Sequence, residues 1–369
     1  MIILYFIFGL TTFLAFGVKS YNTSLIYSDK PFLRKRPYYE HLIVFIIFIL
    51  LACFSGFRSE YNDTATYLYN YANEIPNTFG TVRAIEWSLG QNPGFFIYQV
   101  FLKQFITTNQ YYFIFISSVI TTHFFIKSFY RYSPVFYFSI FLFISSGLFI
   151  FTMAALKQVL SMAIGFWAIK FLLEKKERKF ILIIILSATI HPYILLYLFA
   201  FFLRKEVWSK KIMFSVIAAI FIGFSFSQFL SIVINLNSEI GNTYDIEYFE
   251  NIVGMNKLRV AVFAGVPILS FIYRNKINNY NNQLLNLSVN FSVISFIFMI
   301  IASFGAANMF GRVGVYFEPF VYIALPWIIH VFFNKRLIIP TTVVCFVLYL
   351  IFFYYQFNIA KTFQYNTWI

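Results

Sequence analysis

"LFIFTMAALKQVLSMAIGFWAIKFL" occupies residues 148–172. Its length and apolar content read as a membrane-spanning helix, for which about 20 predominantly apolar residues suffice. Yet Lys157 and Gln158 stand inside it. A cation at the centre of a bilayer helix costs roughly 2.5–3.5 kcal/mol on insertion scales, so an ionisable group there asks for a reason. Outward from this stretch the pattern repeats. Apolar runs fill 2–17, 41–57, 110–127, 134–151, 157–173, 180–203, 211–234, 259–273, 284–304, 313–332 and 337–356, and a shorter one, 94–107, follows "NPG".

Of the 369 residues, 60% are hydrophobic and 11% charged, whereas soluble domains carry about 25% charged residues. The expected fold is therefore all-α: a polytopic membrane helix bundle forming a single transmembrane domain over 1–369. The opening run lacks a basic flank and a small-residue cleavage site, and reads as a retained span rather than a signal peptide. The net charge of +14 does not imply nucleic acid, because Lys and Arg gather in the cytoplasmic loops of membrane proteins and meet anionic lipid there. Cys53 and Cys345 lie in apolar runs, and the four His have no paired spacing; neither a disulfide framework nor a metal centre is expected.

Orientation follows from the basic clusters 30–39, 174–179 and 204–211, all expected in the cytoplasm. The last two flank 180–203, which has room for one crossing and would carry one cluster outside. His191-Pro192 offers a resolution, since an interior proline removes a hydrogen bond and breaks the helix. A broken hairpin over 180–203 returns the chain to the same side. With 94–107 as a half-helix, the reading is about ten full spans, both termini outside, and extracytoplasmic loops at about 58–93 and 235–258. Twenty of the 28 Lys and Arg then lie inside.

The other eight are Arg58, Arg83, Lys103, Lys157, Lys257, Arg259, Arg312 and Lys361. Arg58, Arg259 and Arg312 end spans, and Lys157 lies near the outer end of its own or deeper. Each can snorkel as an anchor. Taken together they read as a cationic site for an anion at the outer membrane surface, where arginine's planar fork suits phosphate. The 58–93 loop adds Asp63 and Tyr67, four apart and so on one face if helical, and Glu86 ahead of the turn "GQNPGF". In the 235–258 loop, Tyr244 and Tyr248 are candidate stacking platforms for sugar. His191 stands at the helix break; an imidazole with an ordinary pKa of about 6.5 is a usable general base.

The order of these features resembles the EpsG-like branch of the Wzy polymerases, which assemble O-antigen and capsule repeat units. It rests on "GFR…ND…Y" after an early span, a Glu before a "GF" half-helix, a cation-Gln pair opening a mid-chain span, a lone His in the next segment and "GRVGVYF" near the end, over about 40–320. One departure is Lys157-Gln158 where the pattern leads to Arg-Gln; lysine is a point charge and not a fork. The resemblance implies a GT-C-like, inverting, metal-independent glycosyltransferase in the bacterial cytoplasmic membrane, its active site facing outward and no cofactor required. It also implies undecaprenyl-diphosphate-linked glycans as donor and acceptor, with a chain-length regulator and a flippase as partners. Arg58, Lys157, Gln158, Arg259 and Arg312 would meet the diphosphate. His191 would be the base, Glu86 and Asp63 would hold sugar or orient Arg58, and Tyr67, Tyr244, Tyr248 and Tyr316 would line the substrate.

Three other classes share parts of the pattern. A flippase for lipid-linked oligosaccharide would be polytopic and basic, but commonly carries internal repeats, and the sequence shows none. A GT-C transferase using a lipid monophosphate donor would place an acidic pair in the first outer loop, which Glu60 and Asp63 imitate poorly. A membrane acyltransferase is compatible with His191 and has no second motif.

Overall fold

The computed structural model describes residues 2–19, 37–82, 85, 87–224, 231–233, 235–236, 254–360 and 365–368. They are overwhelmingly helical, with one two-stranded pairing among them. Much of the punctuation is asparagine. Asn109, Asn256, Asn282 and Asn334 each stand just ahead of a helix and accept hydrogen bonds from its first-turn N–H groups at 2.8–3.2 Å. Such a cap satisfies donors that the helix itself leaves without partners. The chain packs as two compact units, Met1–Leu195 with Asn334–Ile369, and Leu196–Phe333.

In the first unit the helices are α1 (Ile2–Ala15), α2 (Tyr38–Gly56), α3 (Thr64–Asn73), α4 (Pro93–Phe105), α5 (Gln110–Tyr132), α6 (Phe136–Ser145), α7 (Leu148–Ala154), α8 (Leu156–Leu173) and α9 (Glu177–Ala188). A short strand, β1 (Arg58–Glu60), follows α2. Helices α2, α5 and α8 are long and apolar enough to cross a membrane, and α5 packs against both of the others. An apolar cluster of Leu68, Tyr71, Phe95, Phe113, Leu156 and Leu160 locks α3, α4, α5 and α8 together. Close packing of these side chains makes the cluster the platform on which the neighbouring polar groups stand.

The 148–172 stretch is not one helix. It breaks at Ala155 (φ −121, ψ 69), so that α7 ends and α8 begins one residue before Lys157. A second break at Gly147, whose φ of +92 suits glycine, bends α6 and α7 by 52°. Lys157 therefore stands in a first turn, at the opening of its span and not in the interior of a longer helix. The half-helix at 94–107 is present as α4. Asn92 adopts a left-handed conformation (φ 55, ψ 55) and Pro93 takes the first helical position, both in keeping with what these residues tolerate. The break at His191-Pro192 is present too: α9 ends at Ala188 and a 3-10 helix runs Pro192–Phe199.

The second unit is organised by α15 (Gln283–Phe304). Around it pack α11 (Lys210–Phe224), α12 (Lys257–Phe263), α13 (Gly265–Ile272), α16 (Ala307–Val315) and α17 (Glu318–Phe332), with α10 (Ala200–Leu203) and α14 (Arg274–Tyr280) at its margins. Helix α18 (Lys335–Tyr354) and the strand β2 (Asn366–Thr367) return to the first unit. Among the described residues, five helices meet the length and hydropathy of a span, or eight if each of three bent pairs is one. Sequence reading expects about ten. The 14-residue α1 and the Pro192–Leu203 segment are shorter than a full span, and the remainder of the 211–234 run lies largely outside the described residues.

Candidate anion and transfer site

Arg58 opens β1 and is fully buried. Its Nε donates to Thr64 Oγ1 at 3.0 Å and its Nη1 to Ser118 Oγ at 2.9 Å; Nη1 also donates to the Ser55 carbonyl. Among the described residues no carboxylate pairs with it, and its Nη2 is buried with no acceptor. Burial lowers the guanidinium pKa to about 10, against the influence of the nearby phenols Tyr365, Tyr67 and Tyr61. Burial likewise raises Tyr61 and Tyr365 to about 12, so the cage around the cation is made of neutral hydroxyls. A buried charge with only neutral partners is expensive, and an anion beside it recovers that cost.

The C-terminal segment closes over this strand. β2 pairs antiparallel with β1, setting Arg58 opposite Thr367. Trp368 donates from its backbone to Phe57 O at 3.1 Å and from its indole to Gly56 O at 3.3 Å, and stacks on Tyr111. Tyr365 stacks on Phe54, ring centroids 4.5 Å apart, and its hydroxyl donates to the Phe54 carbonyl. Together they form an aromatic strap over the Arg58 cage.

Asp63 precedes α3, and the Tyr67 N–H donates to its carbonyl at 3.1 Å, which puts the two on one helix face as the spacing anticipates. Tyr67 is half-buried, its ring edge-on to Phe95. The Asp63 carboxylate acts electrostatically on Lys157, without a direct ion pair between them among the described residues. Lys157 is half-buried and Gln158 buried in the first turn of α8. Ala155 provides no side-chain cap there, and a helix start with an ammonium beside it is a combination suited to anions. One turn further on, Ser161 Oγ reaches the carbonyls of Ser187 (2.9 Å) and His191 (3.3 Å). His191 is half-buried, its ring edge-on to Tyr193. The α4 turn docks on the same break: Gly94 N–H donates to Thr189 O at 2.8 Å, and a Cβ on Gly94 would collide with Thr189 Oγ1. Arg58, Asp63, Tyr67, Lys157, Gln158 and His191 thus all belong to the first unit, linked through the 61–64 turn, the head of α8 and the 187–192 break.

Arg259, Arg312 and Tyr316 belong to the second unit. Arg259 Nη2 forms a 2.7 Å ion pair with Glu318 Oε1; Glu318 is fully buried and also accepts from the Tyr322 hydroxyl at 3.1 Å. Arg312 is exposed on α16. Tyr316 is fully buried just past the end of α16, its carbonyl accepting the Tyr197 hydroxyl at 2.6 Å, so it serves the interior packing of its unit. Glu86, Tyr244 and Tyr248 lie outside the described residues.

The chain matches the EpsG family over residues 41–368. It belongs to that family, a family of Wzy-like polymerases. No curated protein and no solved structure matches it. Membership identifies a membrane protein of the polysaccharide-polymerase type, and the matched span takes in the aromatic strap as well as the cage. In this EpsG-family chain several contributors escape sequence reading. Thr64 and Ser118 hold Arg58 from 6 and 60 residues away, and nothing in their local sequence marks them. Glu318 did carry a signal, being a carboxylate within an otherwise apolar run, where ionisable residues are functional candidates by default. Lys103 is structural. Its ammonium donates to the carbonyls of Tyr71, Ala72 and Ile75 at 2.7–3.1 Å and so caps the end of α3.

Proposed function

We propose that this protein joins lipid-linked oligosaccharide repeat units into O-antigen or capsular polysaccharide at the outer face of the bacterial cytoplasmic membrane. The donor is a glycan on undecaprenyl diphosphate, the acceptor a single lipid-linked unit, and the transfer inverting and metal-independent. The observation that carries the reading is the buried Arg58 guanidinium, which no carboxylate among the described residues pairs with and whose Nη2–H lacks an acceptor. Asp63, next to the Thr64 that holds Arg58, acts electrostatically on Lys157 in the N-terminal turn of α8. A diphosphate supplies what Arg58 lacks among the described residues, a paired negative charge and an acceptor oxygen for Nη2.

In the reaction the acceptor hydroxyl oxygen attacks the anomeric carbon from the face opposite the diphosphate. The carbon–oxygen bond to undecaprenyl diphosphate breaks, and the electron pair leaves with that oxygen. Arg58 and Lys157 stabilise the developing charge, a role in which one donor commonly supplies about 2.7–4 kcal/mol. Arg312 is a further cation for the diphosphate, and Arg259 shares its charge with Glu318. His191 takes the acceptor proton, held in place by the bond from Ser161 to its carbonyl. Asp63 orients the cations, Glu86 binds acceptor hydroxyls, and Tyr67, Tyr244 and Tyr248 contact sugar.

The test uses purified protein and lipid-linked repeat units without an ion gradient. Wild type should lengthen glycan, in EDTA as well as without it, and lose rate as imidazole becomes protonated. His191→Gln should be nearly inactive at every pH. Normal elongation by His191→Gln with an inactive Glu86→Gln would move the base to the carboxylate. Transport without elongation would establish a flippase instead, and loss of activity in EDTA would favour a metal-dependent transferase.

A further inference from the structure

A second polar cluster lies apart from the cage, where α5 and α8 end side by side. Both helices are candidate spans and pack together, so their common C-terminal end lies where they leave the apolar layer. Residues 127–132 and 170–179 bring seven cations there (Lys127, Arg131, Lys170, Lys175, Lys176, Arg178 and Lys179) against two carboxylates, Glu174 and Glu177. The Tyr132 hydroxyl ties the two ends, donating to Trp167 O and accepting from the Lys170 N–H, both at 2.9 Å.

Lys170 is the centre of interest. Its Nζ lies 3.7 Å from the Trp167 ring centroid and 4.5 Å from that of Phe171. The charges acting on it are Arg131, Lys127 and Lys176, which are like, and Glu174, which is opposite. Glu174 is already taken by Arg131 at 2.6 Å and Lys176 at 2.7 Å, and the Lys176 hydrogen bond, with help from Arg131, keeps its carboxyl below the usual range. Lys170 thus has two aromatic faces and three like charges around it, and no oxygen acceptor among the described residues. Trp167 stands beside it with Phe124, ring centroids 5.2 Å apart. Tryptophan is enriched at headgroup depth, and basic pockets between spans suit anionic headgroups.

We infer that the notch between the ends of α5 and α8 binds the phosphate headgroup of an anionic glycerophospholipid. The phosphate lies between Lys170, Lys127 and Arg131, with the glycerol and upper acyl chain along Trp167 and Phe124. Glu174 competes with the phosphate for Arg131. The apolar wall argues for a lipid over a free anion, and the charge argues for an anionic over a zwitterionic headgroup.

The experiment is a thermal-stability and native-mass titration of the full-length protein in neutral detergent, with phosphatidylglycerol, phosphatidylcholine or inorganic phosphate. The result expected is saturable stabilisation and retained lipid adducts with phosphatidylglycerol only, weakened about tenfold or more in Lys170→Gln/Arg131→Gln. Glu174→Gln, which removes the competing carboxylate, should bind phosphatidylglycerol several-fold more tightly, and it keeps the idea testable if the double variant fails to fold. Equal binding of both lipids, equal protection by inorganic phosphate, or unchanged affinity in Glu174→Gln and in any folded double variant would each overturn the inference. None of these outcomes depends on the transfer chemistry.

Discussion

Replacing Arg58 with methionine separates what the cage does for folding from what it does for substrate. In the folded protein the guanidinium donates to Thr64, Ser118 and the Ser55 carbonyl. Hydrogen bonds to a charged group each contribute roughly 1.5–3 kcal/mol, so three supply about 4.5–9 kcal/mol. Against them stands the desolvation of a fully buried ion, an effective penalty of several kcal/mol, with no carboxylate among the described residues to offset it. Thr64 keeps its own bond to Tyr61 O at 2.7 Å when the arginine is gone. Arg58→Met should therefore unfold within about 2 kcal/mol of wild type. Its loss to catalysis is expected to be far larger, about 10²–10³-fold in rate for one donor to developing charge. The pH dependence adds a sign. Burial holds the folded guanidinium at about 10, below its ordinary value, so above about 10 the unfolded chain holds more protons and folding becomes more favourable as pH rises. Donor binding needs the charged form and should fall as pH rises through about 10. The assay pairs thermal unfolding in detergent with polymer length on lipid-linked units. Polymerisation by Arg58→Met within tenfold of wild type would leave Arg58 as a structural residue with no part in holding the diphosphate.

Three further outcomes are expected. Glu318→Leu, which leaves Arg259 without its buried partner, should cost about 3–5 kcal/mol, whereas Arg259→Met/Glu318→Leu should regain most of it; if that double variant still makes polymer, Arg259 is an anchor and not a diphosphate ligand. Trp368→Ala loses the indole bond to Gly56 and the stack on Tyr111, and should lower polymer yield about tenfold without loss of membrane insertion, while Trp368→Phe keeps the stack and most of the yield, as polymer ladders would display. Gly94→Ala forces the α4 turn off Thr189, for which overpacking costs of about 1–3 kcal/mol are typical; because Thr189 Oγ1 is the nearest obstacle, thermal unfolding should register partial recovery in Gly94→Ala/Thr189→Ala and none in Gly94→Ala/Thr189→Ser.

What sequence reading reaches, and where it stops, follows from the range of the forces involved. Hydropathy is a local sum, so the helical membrane class and the positions of α2, α5, α8, α15 and α18 are legible run by run. Backbone-restricting residues are local too, and so Pro93 and Pro192 mark the half-helix and the break. Ala155 is neither; the run boundaries put Lys157 at the opening of a span, but the break itself sits in an unremarkable "AAL", and its backbone geometry is visible only in the structure. The same limit governs the cage. Arg58 declares itself as a cation outside the positive-inside pattern, but the groups that define its chemistry come from Ser118, 60 residues away, and from a strap more than 300 residues on. No window contains them together. Arg259 shows the converse. Sequence reading groups it with Arg58 and Arg312 by charge and side alone, yet Glu318, 59 residues along, neutralises it, while Arg58 has only hydroxyls and a carbonyl among the described residues. Two arginines alike in sequence context thus differ in the one property that matters for holding a diphosphate, which is whether a carboxylate of the protein already occupies the position that the phosphate would take.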